Sequence, residues 1–212
     1  MTTELNDLTI PLTLCRCAEN FYSRGWMMGT AGNLSARIDE NNFLITASGK
    51  SKGQLSESDF VAINLTSGEH TEPSVHFTPN NKPSAETAIH NVIYKLFPEA
   101  KACFHVHSVD AYLATLPFLQ VKKMLLPNIE MIKGFDIWEQ KPNIELPLFD
   151  NQLAVGDIAK DIEKRFTTNP PRIDALMIKN HGITVWGNSI QQAFNRLEIL
   201  EFILSFMARK PH

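Results

Sequence analysis

Phe104-His105-Val106-His107-Ser108 is the stretch from which fold and chemistry are read. Cys103, His105 and His107 alternate with Ala102, Phe104 and Val106, which is the pattern of a strand end. Side chains on a strand alternate between faces, so both imidazoles point the same way. Two neutral imidazoles so placed can share one small cation, and imidazole suits zinc. The same spacing also describes two polar side chains leaving a strand for solvent. The surrounding chain has to decide.

Upstream, Lys82-Pro83-Ser84-Ala85-Glu86 opens a predicted helix with Ser84 as its N-cap. Ile89, Val92, Ile93 and Leu96 form the apolar stripe of that helix, and Pro98 lies just beyond. Glu86 falls in the first turn, where the helix dipole favours a carboxylate. The helix leads directly into the His105 strand, so Glu86 is also a candidate base beside a metal. His90, one turn on, reads as a satisfied structural histidine.

Downstream, Ala175 to Ile178 is a buried-strand run ending in Lys179-Asn180-His181-Gly182, and Ile183 to Trp186 is another strand. A histidine between two strands is well placed as a third ligand. His105, His107 and His181 make a three-histidine set with room for substrate, a catalytic pattern rather than a closed structural one. Such a Lewis acid polarises a carbonyl. The carboxylates able to move a proton are Glu86 and Glu130. Glu130 lies in Ile129-Glu130-Met131-Ile132-Lys133-Gly134, which also reads as an exposed strand edge.

The rest of the chain frames this set. Leu8 to Arg24 is a predicted helix stopped by Gly25. Gly29-Thr30-Ala31-Gly32-Asn33 turns into a strand, and Asn41-Asn42 turns into the next, Phe43 to Ala47. Ser48-Gly49-Lys50-Ser51 ends like a Walker loop, but Leu44 stands where that motif needs glycine and no helix follows. It is either a phosphate-holding turn or a plain polar one. Phe60 to Leu65 is a strand, and Ser108 caps a short helix through Leu116. Pro117 to Pro147 is less regular, and Leu153 to Phe166 is a helix. A last helix runs from Ser189 to Ala208, with Ser189 and Gln192 as a capping box.

The 212 residues suit one domain over 1–212, and 43% hydrophobic with 20% charged residues is ordinary for a globular protein. A net charge of -3 gives no footprint for nucleic acid, and no apolar run reaches a membrane span. Three cysteines, Cys15, Cys17 and Cys103, fit a reducing compartment, and a cytoplasmic location is expected.

Four ordered motifs, Gly29 to Arg37, Pro83-Ser84-Ala85-Glu86, His105-Val106-His107-Ser108 and Asn180-His181-Gly182, resemble those of the class II aldolase/adducin superfamily. The resemblance implies an α/β fold of three α/β/α layers with a largely antiparallel central sheet. It implies one zinc per subunit on His105, His107 and His181, and a homotetramer with sites between subunits. Ile129 to Gly134 and Gly182 to Gly187 are similar to a branch that dehydrates a small phosphorylated keto sugar, with Glu130 as acid/base. A sugar-phosphate aldolase or epimerase is the second reading, and the aldolases use the carboxylate matching Glu86. They hold phosphate on groups matching Asn33, Ser48, Gly49 and Ser84. Ala85 stands where a second hydroxyl is common in them. Adducin-like relatives are binding proteins without a working metal site, and the intact histidines argue against that third reading.

Overall fold

A computed structural model describes residues 9–71 and 81–209. The helices are α1 (Ile10–Ser23), α2 (Thr87–Leu96), α3 (Val109–Thr115), α4 (Val155–Thr168) and α5 (Ile190–Arg209). The strands are β1 (Asn33–Arg37), β2 (Asn42–Thr46), β3 (Phe60–Asn64), β4 (His70–Thr71) and β5 (Ala102–Val106), then β6 (Lys123–Leu125), β7 (Glu145–Phe149), β8 (Ala175–Ile178) and β9 (Gly182–Gly187). Short 3-10 helices cover Lys52–Gln54, Leu116–Phe118 and Glu130–Phe135.

The nine strands of the described residues form one sheet in the order β4-β3-β2-β1-β5-β9-β8-β7-β6. Among the described residues, only the β7–β8 pair is parallel. The expected largely antiparallel sheet is therefore present. β5 lies at its middle, between β1 and β9, and all five of its residues are buried. A strand covered on both faces needs apolar side chains on both, apart from the positions it gives to chemistry.

The alternation along each strand sorts the core into two layers. Leu34, Ala36, Phe104, Val106 and Val185 face α1 and α5, meeting Leu14, Phe21, Leu197 and Leu204. Phe43, Ile45, Cys103, Leu176 and Trp186 face α2 and α4, meeting Ile89, Ile93, Ile158 and Ile162. The result is helix, sheet, helix. His105, two residues after Cys103 on β5, shares its face and lies on the α2 side.

Three local readings are corrected. Ser84 is not the N-cap of α2: Glu86 holds that position, and Ser84 starts the turn before it. The region after Pro117 contains two strands. Three-residue β6 and Pro147-interrupted β7 carry no clean alternation, and proline suits a strand only where it withholds no ladder bond. Glu130 sits in a 3-10 helix rather than on a strand edge. In the capping box, the Ser189 Oγ accepts the Gln192 N–H at 3.0 Å, while the Gln192 side chain reaches the N–H of Asn188 at 2.8 Å. Leu8, the expected start of the first helix, lies outside the described residues.

Candidate metal centre

Register builds the site. Asn33 of β1 and Thr184 of β9 both stand opposite His105, so three neighbouring strands present one row of polar side chains. The Thr184 hydroxyl bonds His105 Nδ1 at 2.9 Å, which leaves Nε2 facing the site. His107 lies just past the end of β5. Its Nε2 stands 2.8 Å from His105 Nε2. His181 comes from the turn between β8 and β9, after Asn180, whose φ of 51° is left-handed. Asparagine tolerates that conformation better than most residues.

Gly182 makes the approach of the rings possible. A Cβ there would stand 2.3 Å from the Val106 carbonyl and 2.7 Å from the His107 ring. The three rings lie 4.7–5.0 Å apart, nearly perpendicular in pairs. Glu86, at the start of α2, completes the group. Its Oε1 stands 2.5 Å from His181 Nε2 and 3.5 Å from His105 Nε2. One donor atom from each of these four residues lies within 4.8 Å of the others.

Behind Glu86 runs a buried chain of hydrogen bonds with one consistent direction. A carboxylate only accepts, so the Asn33 amide group must donate to Glu86 Oε2. The Asn33 oxygen then accepts from His90 Nε2 at 2.5 Å. His90 Nδ1 accepts from the Ser35 hydroxyl at 2.7 Å, and Ser35 accepts from Tyr94 at 2.8 Å. His90 is thus satisfied at both nitrogens, as read from the sequence.

Burial favours the neutral forms of His105 and His107, while the cluster as a whole favours an ionised Glu86. Burial depresses the His105 imidazole, and burial with His105 alongside pushes His107 down to about 3. Burial works against the charge on Glu86, but His105, His181 and His107 together hold it well below the usual carboxylate range. Neutral imidazole and ionised carboxylate are the forms in which these groups donate to a metal. Three imidazole nitrogens on rigid elements suit a divalent transition metal, with the Glu86 carboxylate beside it.

Other expected site residues fall in two places. Ser48 and Gly49 form an exposed turn beside the Ser84 segment: the Ser48 N–H donates to the Lys82 carbonyl at 2.9 Å, and Ala47 bridges Pro83. Asn33 lies beneath, 2% exposed, with both ends of its amide engaged. Glu130 is not among the clustered donors. Its side chain is 81% exposed and pairs with Lys133 at 2.7 Å.

Thr184, Ser35 and Tyr94 escaped the sequence reading. Thr184 was the most legible of them, since pairing the His105 strand with the strand after His181 sets a hydroxyl opposite the imidazole. Glu201 escaped as well. It lies buried on α5, where its Oε2 accepts from Ser108, the N-cap of α3 and the neighbour of His107.

Among proteins of known name, the chain is 52% identical over 196 residues to methylthioribulose-1-phosphate dehydratase of Microcystis aeruginosa, covering 92% of this chain and 93% of that one. It is 39% identical over 216 aligned positions to the protein of the same name from Leptospira biflexa, covering 99% of each. Among solved structures it resembles YgbL, a putative aldolase/epimerase/decarboxylase from Escherichia coli, with a TM-score of 0.76 and 26% identity over 93% of this chain and 87% of that one. Residues 13–207 match the model of the class II aldolase and adducin N-terminal domain. With that match over most of its length, and the motif histidines and glutamate drawn into one cluster, the chain belongs to the class II aldolase and adducin N-terminal domain family.

Proposed function

We propose that this chain is a zinc-dependent hydro-lyase. It removes water from 5-methylthioribulose 1-phosphate to give 2,3-diketo-5-methylthiopentyl 1-phosphate, a reaction of methionine salvage. The observation that carries the reading is the Microcystis relative of that name, similar across nearly the whole chain, together with the intact cluster of Glu86, His105, His107 and His181.

The substrate has a ketone at C2 and hydroxyls at C3 and C4. Zinc held by His105, His107 and His181 supplies Lewis acidity toward the substrate carbonyl. Glu86, kept ionised among the imidazoles, accepts the C3 proton. Asn33 holds the other oxygen of Glu86, so one oxygen stays aimed at the site. The C4–oxygen bond then breaks, and Glu130 donates the proton with which the hydroxyl leaves as water. The resulting enol gives up its C3 hydroxyl proton, takes a proton at C4 and becomes the diketone.

Glu130 serves this role from a neighbouring copy of the chain. Its exposure and its place outside the cluster favour a site completed between subunits of a homotetramer. Leu113, Leu116, Leu125, Phe202 and Phe206 expose apolar surface that assembly would cover. Each subunit is one domain over 1–212, and the enzyme works in the cytoplasm. The phosphate lies against Asn33, Ser48, Gly49 and Ser84, in loops whose small residues let a ligand approach the backbone.

The position of Glu86 also suits an aldolase, which would break C3–C4 instead. The test is to supply the purified, zinc-loaded protein with methylthioribulose 1-phosphate, fuculose 1-phosphate and ribulose phosphates. Diketone from the first alone is the expected result. Retro-aldol products, or no turnover of the first, would refute the dehydratase reading.

A further inference from the structure

Lys52 opens the short 3-10 turn after β2 and is 2% exposed. Its ammonium donates to the carbonyl of Lys50 at 2.8 Å and to that of Thr30 at 2.9 Å. These carbonyls belong to two separate loops: the turn after β2 that carries Ser48 and Gly49, and the glycine-rich approach to Asn33. The turn is pressed against α1. A Cβ on Gly53 would stand 2.5 Å from the Tyr22 ring, so only glycine permits that contact.

An ammonium buried this deeply ordinarily meets a carboxylate, because carbonyl dipoles replace only part of its hydration. Among the described residues no carboxylate pairs with Lys52. Asp59, seven positions on in sequence, is taken by Lys50 at 2.7 Å. Burial lowers the Lys52 pKa to about 8, against the pull of the Glu86 carboxylate. Lys52 in turn works against protonation of His107. The ammonium is thus clasped by the two loops and within electrostatic reach of the imidazole cluster.

We infer that Lys52 is the fixed positive charge of the phosphate subsite, tying the two loops together from beneath and balancing a phosphate dianion bound at their N–H groups and hydroxyls. The inference rests on the phosphorylated substrate proposed above. In such a substrate the phosphate is carried on C1, next to the C2 carbonyl, so it must lie beside the imidazole cluster. Backbone N–H groups and serine hydroxyls donate hydrogen bonds to phosphate but bring no net charge. Lys52 brings that charge already ordered, so binding need not immobilise a flexible side chain. A sugar lacking phosphate would leave the buried ammonium without its counter-ion, so Lys52 also selects for phosphorylated substrates.

The test is equilibrium binding of inorganic phosphate to the zinc-loaded protein, unmutated and as Lys52→Met, with metal content measured on each. Methionine keeps much of the length and removes the charge. The expected result is affinity weakened roughly tenfold or more at unchanged metal content, with part of the loss recovered in Lys52→Arg. Unchanged phosphate affinity in Lys52→Met overturns the inference. Should Lys52→Met fail to fold, a crystal structure of the unmutated protein with inorganic phosphate decides. Phosphate within about 4 Å of Lys52 Nζ supports the inference, and phosphate bound elsewhere or not at all refutes it. A wrong sugar would show as absent turnover with phosphate binding intact. A wrong role for Lys52 would show as phosphate affinity indifferent to its replacement.

Discussion

The Nε2–H of His90 donates to the side-chain oxygen of Asn33 at 2.5 Å, and this bond decides which end of the Asn33 amide faces Glu86. With the oxygen committed to His90, only the amide N–H can turn toward the carboxylate. Outer partners of this kind typically contribute about 10–100-fold to activity or metal affinity. His90→Leu is expected to lower kcat by that order with KM little changed. His90→Gln, which retains an N–H donor, should recover part of the loss. A merely structural histidine would lower thermal stability in both variants and leave kcat per folded molecule as it was.

His105→Ala and His181→Ala are expected to lose stoichiometric zinc and turnover while keeping native circular dichroism. Both apolar layers of the core are built without these side chains, so the fold does not depend on the ion. Metal analysis of the purified variants is the check. Retention of one zinc per chain in either would remove that residue from the ligand set.

For Glu130, substitution and subunit mixing together give the answer. Glu130→Gln keeps the shape and removes the acid, and general acid/base groups typically contribute about 10²–10⁴-fold to rate. A fall in kcat of that order is expected, with zinc content unchanged. Glu130→Gln and His181→Ala chains, each inactive alone, should regain partial activity when unfolded and refolded together, because a site shared between copies can draw one intact residue from each. No regain in verified mixed oligomers would place Glu130 in its own chain's site or outside the chemistry.

Glu201 makes stability depend on pH. Burial raises its carboxyl to about 7, against the hydrogen bond from Ser108, and Asp110 adds to the rise. Between the ordinary glutamate pKa and about 7, the folded chain holds a proton that the unfolded chain has released, so this group's contribution to stability falls as pH rises through that window. The loss is on the order of 3 kcal/mol, and it levels off above about pH 7. Glu201→Gln should therefore gain stability relative to the unmutated protein as pH rises from 5 to 8. Denaturant titrations at several pH values measure it, and a constant difference between the two proteins would refute the role.

Much of this molecule was legible in residue order, because strands and long amphipathic helices announce themselves by period. The alternation of Cys103, His105 and His107 placed β5 and the face carrying its imidazole. Asn180-His181-Gly182 between two apolar runs placed the third ring. Short or interrupted strands such as β6 and β7 left no such trace. The inward turn of Lys52 was also hidden, since a lysine between Ser51 and Gly53 has the composition of any surface turn. What distinguishes it are two carbonyls, one of them Thr30, brought near only by the pairing of β1 with β2. Glu130 was noticed from its neighbours' pattern, but one chain alone does not carry it to the imidazoles.

The four donors come from three separate stretches, at Glu86, at His105 with His107, and at His181. Nearly a hundred positions separate the first from the last, and β9 must dock on β5 before the last ring can face the others. Pairings between such distant stretches form late, because the intervening loop must first be closed. During synthesis the nascent chain has no complete coordination sphere until the segment through β9 has left the ribosome and paired. A metal taken up on these residues would therefore bind only at the end of folding, and its binding would certify that the centre of the sheet has closed.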